Sequence, residues 1–255
     1  MSARLEGLGV VLTRPRGAAE ALRAELARQG ARVYLLPALE IEDIPLTDAV
    51  ARLLEGLDRF SLAVFVSDNA VEKGLAAVRR AGPWPQSLGV AAIGEATAQA
   101  LRNSGFGAVI SPHERHDSEG LLALARLQKV EGEDIIVFRG EGGRERLKEV
   151  LEARGARVSY AEVYRRVRPR VDAAPVAAAL ARGEVHAVSA LSAETLENFV
   201  DMIGDGAQRL GCVALVVPHA AIGAAAAARR FGRTVVSGHG AAGLIEALAG
   251  LKVTT

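Results

Sequence analysis

The chain has 255 residues, 50% of them hydrophobic and 24% charged, a globular composition that excludes a disordered tail, a coiled coil and a collagen-like chain. With 31 Lys+Arg against 30 Asp+Glu and an aromatic content of 4%, it has neither the field nor the rings that DNA or RNA binding draws on. A single cysteine, Cys212, excludes an internal disulfide framework or a cysteine metal cluster and fits a reducing cytoplasm, and the lack of a signal core at Met1–Gly7 or of eighteen consecutive apolar residues argues against secretion and membrane spanning.

In chain order, Val10-Val11-Leu12 is a short buried strand. The Pro15-Arg16-Gly17 turn then opens a helix with Leu22 and Leu26 at i and i+4, ended by Gly30. Ala31–Leu36 is the next strand, and later ones are predicted at Leu62–Val66, Val90–Ile93, Ala108–Ile110, Ile135–Phe138, Arg157–Ser159, Val185–Ala190, Val213–Val217 and Thr234–Val236. Apolar strands joined by helices predict an α/β fold with doubly wound parallel sheets covered on both faces. Ten strands predict two sheets of five.

The chain also repeats itself. Arg14–Val33 aligned with Arg139–Val158 gives nine identities in twenty positions without a gap, including Arg14/Arg139, Gly17/Gly142, Glu20/Glu145, Leu26/Leu151 and the run Gly30–Val33/Gly155–Val158. The same offset of 125 pairs Ser67 with Ser192, each closing an apolar run and opening a helix. Two copies of one α/β plan follow.

Pro37–Pro45 and Tyr160–Pro169 interrupt the alternation, and their polar-flanked character suits extended linkers better than sheet cores. The domain boundaries expected from this are a first lobe of 1–36 plus 170–255, a second lobe of 46–159, and linkers at 37–45 and 160–169. A cleft between the lobes is the consequence.

Ligands on open α/β sheets lie beyond the carboxyl ends of the strands, where helix starts offer unpaired N–H groups. Those ends carry Thr13-Arg14-Pro15, Ser67-Asp68-Asn69, Gly94-Glu95-Ala96-Thr97, Arg139 to Arg144, Ser189 with Ser192, and Pro218-His219. Hydroxyl, glycine and arginine positions suit an anionic ligand, although a Ser or Thr there also serves as a plain helix cap. Arg139-Gly140-x-Gly142-Gly143 lacks the third glycine of a dinucleotide loop, since Glu145 stands there, and no phosphate-loop motif occurs. His113-Glu114-Arg115-His116-Asp117 fits a solvated loop better than a metal site, Cys212 a small buried residue, His186 a locally satisfied histidine, His239 a helix start, and Gly223–Ala228 a close-packing helix face. Chemistry by itself leaves an enzyme, a ligand-sensing module and a nucleotide-sugar binder open.

Seven motifs, in order and spacing, then resemble the uroporphyrinogen-III synthase family over nearly the whole chain. They are Leu12-Thr13-Arg14-Pro15, Phe65–Val71, Ala92-Ile93-Gly94-x-x-Thr97-Ala98, Ser118–Leu122, Arg139-Gly140, Glu162-Val163-Tyr164-Arg165, and Ser192 with Asn198-Phe199. Asp68 stands where the family often has proline, and His219-Ala220-Ala221-Ile222 replaces the second Gly-x-x-Thr. The resemblance implies two flavodoxin-like lobes, the first discontinuous, joined by a two-stranded linker. It implies a lyase of heme biosynthesis that cyclises hydroxymethylbilane, a linear tetrapyrrole, to uroporphyrinogen III with inversion of the last ring and loss of water. No cofactor or metal is implied. The resemblance points to Tyr164 as a proton donor to the leaving hydroxyl and to Arg14, Ser67, Thr97, Ser118, Arg139, Gly140, Ser192 and His219 as substrate contacts. A cytoplasmic monomer is implied, with room for a transient contact with hydroxymethylbilane synthase. The alternative is a two-lobed cytoplasmic ligand-binding or regulatory module.

Overall fold

The structure, a computed structural model, describes residues 4–113, 115, 117–143, 145–238 and 240–251. The chain begins with β1 (Gly9–Leu12), α1 (Arg16–Arg28), β2 (Arg32–Leu35) and β3 (Glu40–Asp43). It continues with α2 (Asp48–Glu55), β4 (Leu62–Phe65), α3 (Asp68–Ala81), β5 (Gly89–Ala92), α4 (Glu95–Asn103), α5 (Ser118–Ala123), α6 (Ala125–Gln128), β6 (Asp134–Gly140), α7 (Arg146–Ala153) and β7 (Arg157–Val167). The last third holds α8 (Ala174–Ala181), β8 (Ala187–Ser189), α9 (Ala193–Ile203), β9 (Ala214–Val217), α10 (Ala220–Gly223), β10 (Arg233–Val236) and α11 (Gly240–Ala249). These elements form two compact units, one from the chain up to Glu40 and from Val167 onward, the other from Ile41–Arg166.

Each unit is a sheet between two helix layers. In the first the strand order is β10-β9-β8-β1-β2. Side chains alternate across β1, so Val11 packs with Val176, Leu196 and Phe199 of α8 and α9. Val10 and Leu12 pack instead with Leu22, Leu26, Leu244 and Leu248 of α1 and α11. In the second unit the order is β3-β7-β6-β4-β5. Ala63 and Phe65 of β4 face Val71, Leu75 and Leu101 of α3 and α4, while Leu62 and Val64 face Leu121, Leu147 and Leu151 of α5 and α7. Because both faces are covered, the strands are apolar runs; Gly9–Leu12 is buried throughout.

The internal repeat has a physical basis at its helix ends. After α1, Gly30 adopts φ 92°, its N–H bonds to the Ala27 carbonyl, and the N–H of Ala31 bonds to Leu26. After α7, Gly155 at φ 88° bonds to Glu152, and Ala156 to Leu151. This double bond pattern with a left-handed glycine ends a helix and aims the chain into the next strand, which is why Leu, Gly and Ala recur at those spacings. The offset of 125 also carries one sheet onto the other in register. Gly9↔Arg32 becomes Asp134↔Arg157, Val10↔Ala187 becomes Ile135↔Leu62, Ala187↔Ala214 becomes Leu62↔Gly89, and Val216↔Val235 becomes Ala91↔Ile110, and every one of these pairings is formed. Each unit therefore combines strands from both copies.

Several sequence expectations are corrected. Tyr160–Val167, expected as an extended linker rather than sheet, continues β7 against β6 as far as Gly140↔Tyr164, because Ala161 and Val163 are buried, while the division between the units falls at Arg166/Val167 within the expected segment. Glu40–Asp43 is likewise a strand, β3, at the edge beside β7. Ala108–Ile110, bracketed by Gly107 and Pro112, contributes a single bridge from Ile110 to Ala91. Cys212 is exposed, since it ends the 3-10 stretch Gly204–Cys212 before β9 begins. Gly223–Ala228 is broken between α10 and a 3-10 turn at Ala226–Arg230, having no stripe of larger apolar side chains to anchor a long helix.

Candidate functional site

Both units have the doubly wound switch point where strand order reverses, between β1 and β8 in the first and between β4 and β6 in the second. The carboxyl ends flanking such a point diverge into helices on opposite faces and leave a crevice. In the second unit the crevice opens into a pocket of about 490 Å³. Ser118, Arg139, Gly140 and Tyr164 line it, together with Arg115, Asp117, Glu119, Arg146, Tyr160 and Arg166.

Tyr164 reaches this place through a register shift. β7 pairs Arg139 with Glu162 but Gly140 with Tyr164, so one extra residue is accommodated on β7. Strict alternation would put Tyr164 on the face of Tyr160; the shift turns it to the face of Ala161 and Val163, where it packs in the core beneath α3. Its phenol is 3% exposed and its hydroxyl lies 3.0 Å from Ser67 Oγ. Ser67 in turn caps α3 by accepting from the Ala70 N–H at 3.1 Å. The Ser67 hydroxyl, which also has a proton to donate, and the phenol share one hydrogen bond in which either oxygen can be the donor. Gly140 makes the approach possible: a Cβ there would lie 2.6 Å from Cε2 of the Tyr164 ring.

Arg139 is 5% exposed. Its Nε donates to the Gly140 carbonyl at 3.2 Å, its Nη1 pairs with Glu145 at 3.0 Å, and its guanidinium carbon sits 4.3 Å from the centroid of the Tyr160 ring. Glu162 lies 4.0 Å from Arg139 Nε and is itself held by the Gly142 N–H. Burial, followed by the charge of Glu145, pushes the Tyr160 phenol up to about 12, so it is neutral at physiological pH. Its hydroxyl is buried without a hydrogen-bond partner among the described residues. At the rim, Arg115 pairs with Asp117 at 2.6 Å and Arg146 with Glu119 at 3.1 Å. The Gly120 N–H and then Arg115 hold the Asp117 carboxyl below its usual range. Four arginines against two carboxylates in the lining suit a ligand with several negative charges.

The remaining expected contacts do not line this pocket. Thr97 is buried at the start of α4 and donates to Asp68 at 3.2 Å. Arg14, Ser192 and His219 belong to the first unit. Arg14 follows β1 and is half-buried, with desolvation lowering its pKa; Ser192 caps α9 through the Thr195 N–H; His219 is exposed at the start of α10. His186 Nδ1 accepts from the Gly9 N–H at 2.9 Å, a local satisfaction. Glu114, His116, Arg144 and His239 lie outside the described residues. Sequence reasoning missed Tyr160 and Arg166, which share a strand with Tyr164 but sit in the presumed linker, and Arg115 and Arg146, which carry no motif. Among the described residues no group of three or more His, Cys, Asp or Glu could hold a metal ion, and no helix is long and apolar enough to cross a membrane.

Comparison with known proteins bears directly on this geometry. A family model described as uroporphyrinogen-III synthase HemD matches residues 20–249. The uroporphyrinogen-III synthase of Escherichia coli is 31% identical over 197 residues, covering 77% of this chain and 80% of that one. That of Salmonella typhimurium is 38% identical over 173 residues, covering 66% and 68%. Among solved structures, a mutant uroporphyrinogen III synthase of the extremely thermophilic bacterium Thermus thermophilus superposes with a TM-score of 0.65 at 20% identity, covering 94% of this chain and 98% of that one. The Helicobacter pylori uroporphyrinogen-III synthetase gives 0.57 at 13% identity, covering 90% and 92%. The two-lobed α/β fold is thus shared, and the chain belongs to the uroporphyrinogen-III synthase family.

Proposed function

We propose, from membership of this family, that the chain is a lyase of heme biosynthesis that closes hydroxymethylbilane to uroporphyrinogen III, inverting the last pyrrole ring and releasing water. The observation that carries the residue-level reading is the pocket at the switch point of the second unit, which is lined by four arginines and by Tyr164, whose hydroxyl lies 3.0 Å from Ser67 Oγ.

In this reading Arg139 and the backbone at Gly140, with Ser118 at the start of α5, take acetate and propionate groups of the linear tetrapyrrole, and Arg14, Ser192 and His219 are the contacts of the first unit. Thr97 acts through Asp68, steadying the start of α3. The terminal carbon loses its hydroxyl as the adjacent pyrrole nitrogen supplies the electron pair. Tyr164 donates a proton so that water leaves, with Ser67 holding the phenol in place. The free substrate closes without help at the unsubstituted position, so the protein's larger task is to fold the chain such that the substituted carbon of the last ring is attacked. The reaction requires no redox change. The protein is proposed to act as a cytoplasmic monomer with transient docking to hydroxymethylbilane synthase; the lone cysteine supports the cytoplasmic location.

The test is incubation with freshly prepared hydroxymethylbilane, oxidation of the product and separation of the isomers. The inverted isomer should dominate and scale with protein concentration. Predominance of the uninverted isomer at every protein concentration overturns the proposal.

A further inference from the structure

Arg139 and Glu145 form a pair of unequal members. The guanidinium is fixed: buried, stacked on Tyr160, bonded to the Gly140 carbonyl, and so closely covered that a Cβ at Gly143 would lie 2.8 Å from its Nη2. The carboxylate is exposed on 53% of its side chain. It ends the loop that follows β6, in which Gly142 and Gly143 take φ values of 68° and 100°. Although Glu145 stands at the position before α7, its side chain makes no capping bond to that helix and reaches back to Arg139 instead.

The pair does not recur in the first copy of the internal repeat. The equivalent residues in the first copy are Arg14 and Glu20, and there Glu20 bonds to Arg23 at 3.0 Å on the exposed face of α1 while Arg14 stays half-buried. The two copies also differ locally: α1 begins at Arg16, so Glu20 lies within the helix, whereas α7 begins only at Arg146 and Glu145 stands ahead of it. In the second copy the arginine lines the pocket, and the carboxylate, placed ahead of the helix, reaches that arginine.

We propose that Glu145 is a specificity-determining residue: it occupies Arg139 as an internal stand-in for a substrate carboxylate and leaves when one arrives. This rests on the reading of the pocket as the tetrapyrrole site. A buried guanidinium left unpaired is unfavourable, and Glu145 at 3.0 Å is its close partner, with Glu162 more distant at 4.0 Å. A ligand carboxylate then exchanges one ion pair for another and gains only the difference, which rejects ligands that offer a carboxylate here and nothing elsewhere. The Tyr160 hydroxyl, with no close hydrogen-bond partner among the described residues and influenced by both Glu145 and Arg139, supplies a donor that the entering carboxylate can use as Glu145 leaves.

Glu145→Gln removes the competitor with little change of shape. The KM for hydroxymethylbilane should fall about threefold to tenfold, as expected for release of a partly buried ion pair. The double variant Glu145→Gln with Arg139→Ala should lose that gain. Glutarate, a free dicarboxylate, serves as a probe that does not depend on turnover: its affinity, by calorimetry, should rise by a similar factor in Glu145→Gln. In the wild-type protein saturating glutarate should shift the Arg139 Nε–H resonance, a measurement that needs no variant to fold. An unchanged or higher KM in a Glu145→Gln protein of wild-type thermal stability, or an Arg139 resonance unmoved by glutarate in both the wild-type and the Glu145→Gln protein, overturns the proposal. Failure to make the inverted isomer would overturn the synthase reading alone, since the glutarate experiments still report on Glu145.

Discussion

Adding one methyl group at Gly140 isolates the contact that sets the position of Tyr164. The objection to a side chain here is space, since Gly140 is absent from the glycines with positive φ. An alanine Cβ would meet Cε2, Cζ and Cδ2 of the Tyr164 ring at 2.6, 2.8 and 3.1 Å. Carbon atoms prefer about 3.5–4.0 Å, so the ring has to retreat by about 1 Å. It has little room to do so, being 3% exposed in the core of the second unit. Overpacking of this kind costs about 1–3 kcal/mol, and each kcal/mol lowers Tm by about 2–4 °C in a chain of this size. The same retreat stretches the 3.0 Å bond to Ser67 and misplaces the phenolic proton, and a displacement of about 1 Å near the chemistry can lower turnover by about a hundredfold. Gly140→Ala is therefore expected to lose several degrees of Tm by circular dichroism. Its kcat for uroporphyrinogen III formation should fall about tenfold to a hundredfold, with KM little changed. Wild-type kcat and Tm together would show that the ring is free to move and that its position is not set by Gly140.

Tyr164→Phe keeps the ring and removes the proton, so kcat should fall about tenfold to a hundredfold at unchanged KM, with the inverted isomer still formed; wild-type turnover reduces Tyr164 to packing. Arg14→Ala should raise KM by the equivalent of a charge-assisted hydrogen bond, about 1.5–3 kcal/mol, and Arg139→Ala should raise it by less, because the ligand there replaces Glu145. Unchanged KM in both variants, each folded by circular dichroism, would make the two arginines structural. The Tyr160 phenol, raised to about 12 against a usual 10, makes the folded state hold its proton longer than the unfolded chain, so stability should decline as pH rises from 10 towards 12. A Tyr160→Phe variant with the same alkaline loss of Tm would contradict this. Glu184 runs the other way: hydrogen bonds from Arg182 and Tyr34 hold it at about 2 against a usual 4.5, so its contribution is present above pH 4.5 and is lost as pH falls towards 2. Glu184→Gln should flatten the acid limb of a Tm-versus-pH curve, and superimposable acid limbs would refute the assignment.

The amino-acid sequence alone determined whatever depends on neighbours along the chain. Apolar runs such as Gly9–Leu12 and Leu62–Phe65 specify strands buried on both faces, Ser67 and Ser192 open helices, and the Leu-x-x-x-Gly-Ala spacing at 26–31 and 151–156 ends them, because each is a matter of local backbone bonding. The repeat and the family motifs are readable for the same reason. Whatever depends on pairing between distant segments was decided by the tertiary structure. Alternation along 160–166 puts Tyr160 and Tyr164 on one face, whereas the register shift against Arg139 and Gly140 parts them, one under a guanidinium and the other beside Ser67. Arg115 and Arg146 carry no local signature and join the pocket because the loop before α5 and the start of α7 close over the end of β6. Strand register is a sum over many long-range contacts, and a one-residue change in it redirects side chains whose own sequence neighbourhood is unaltered.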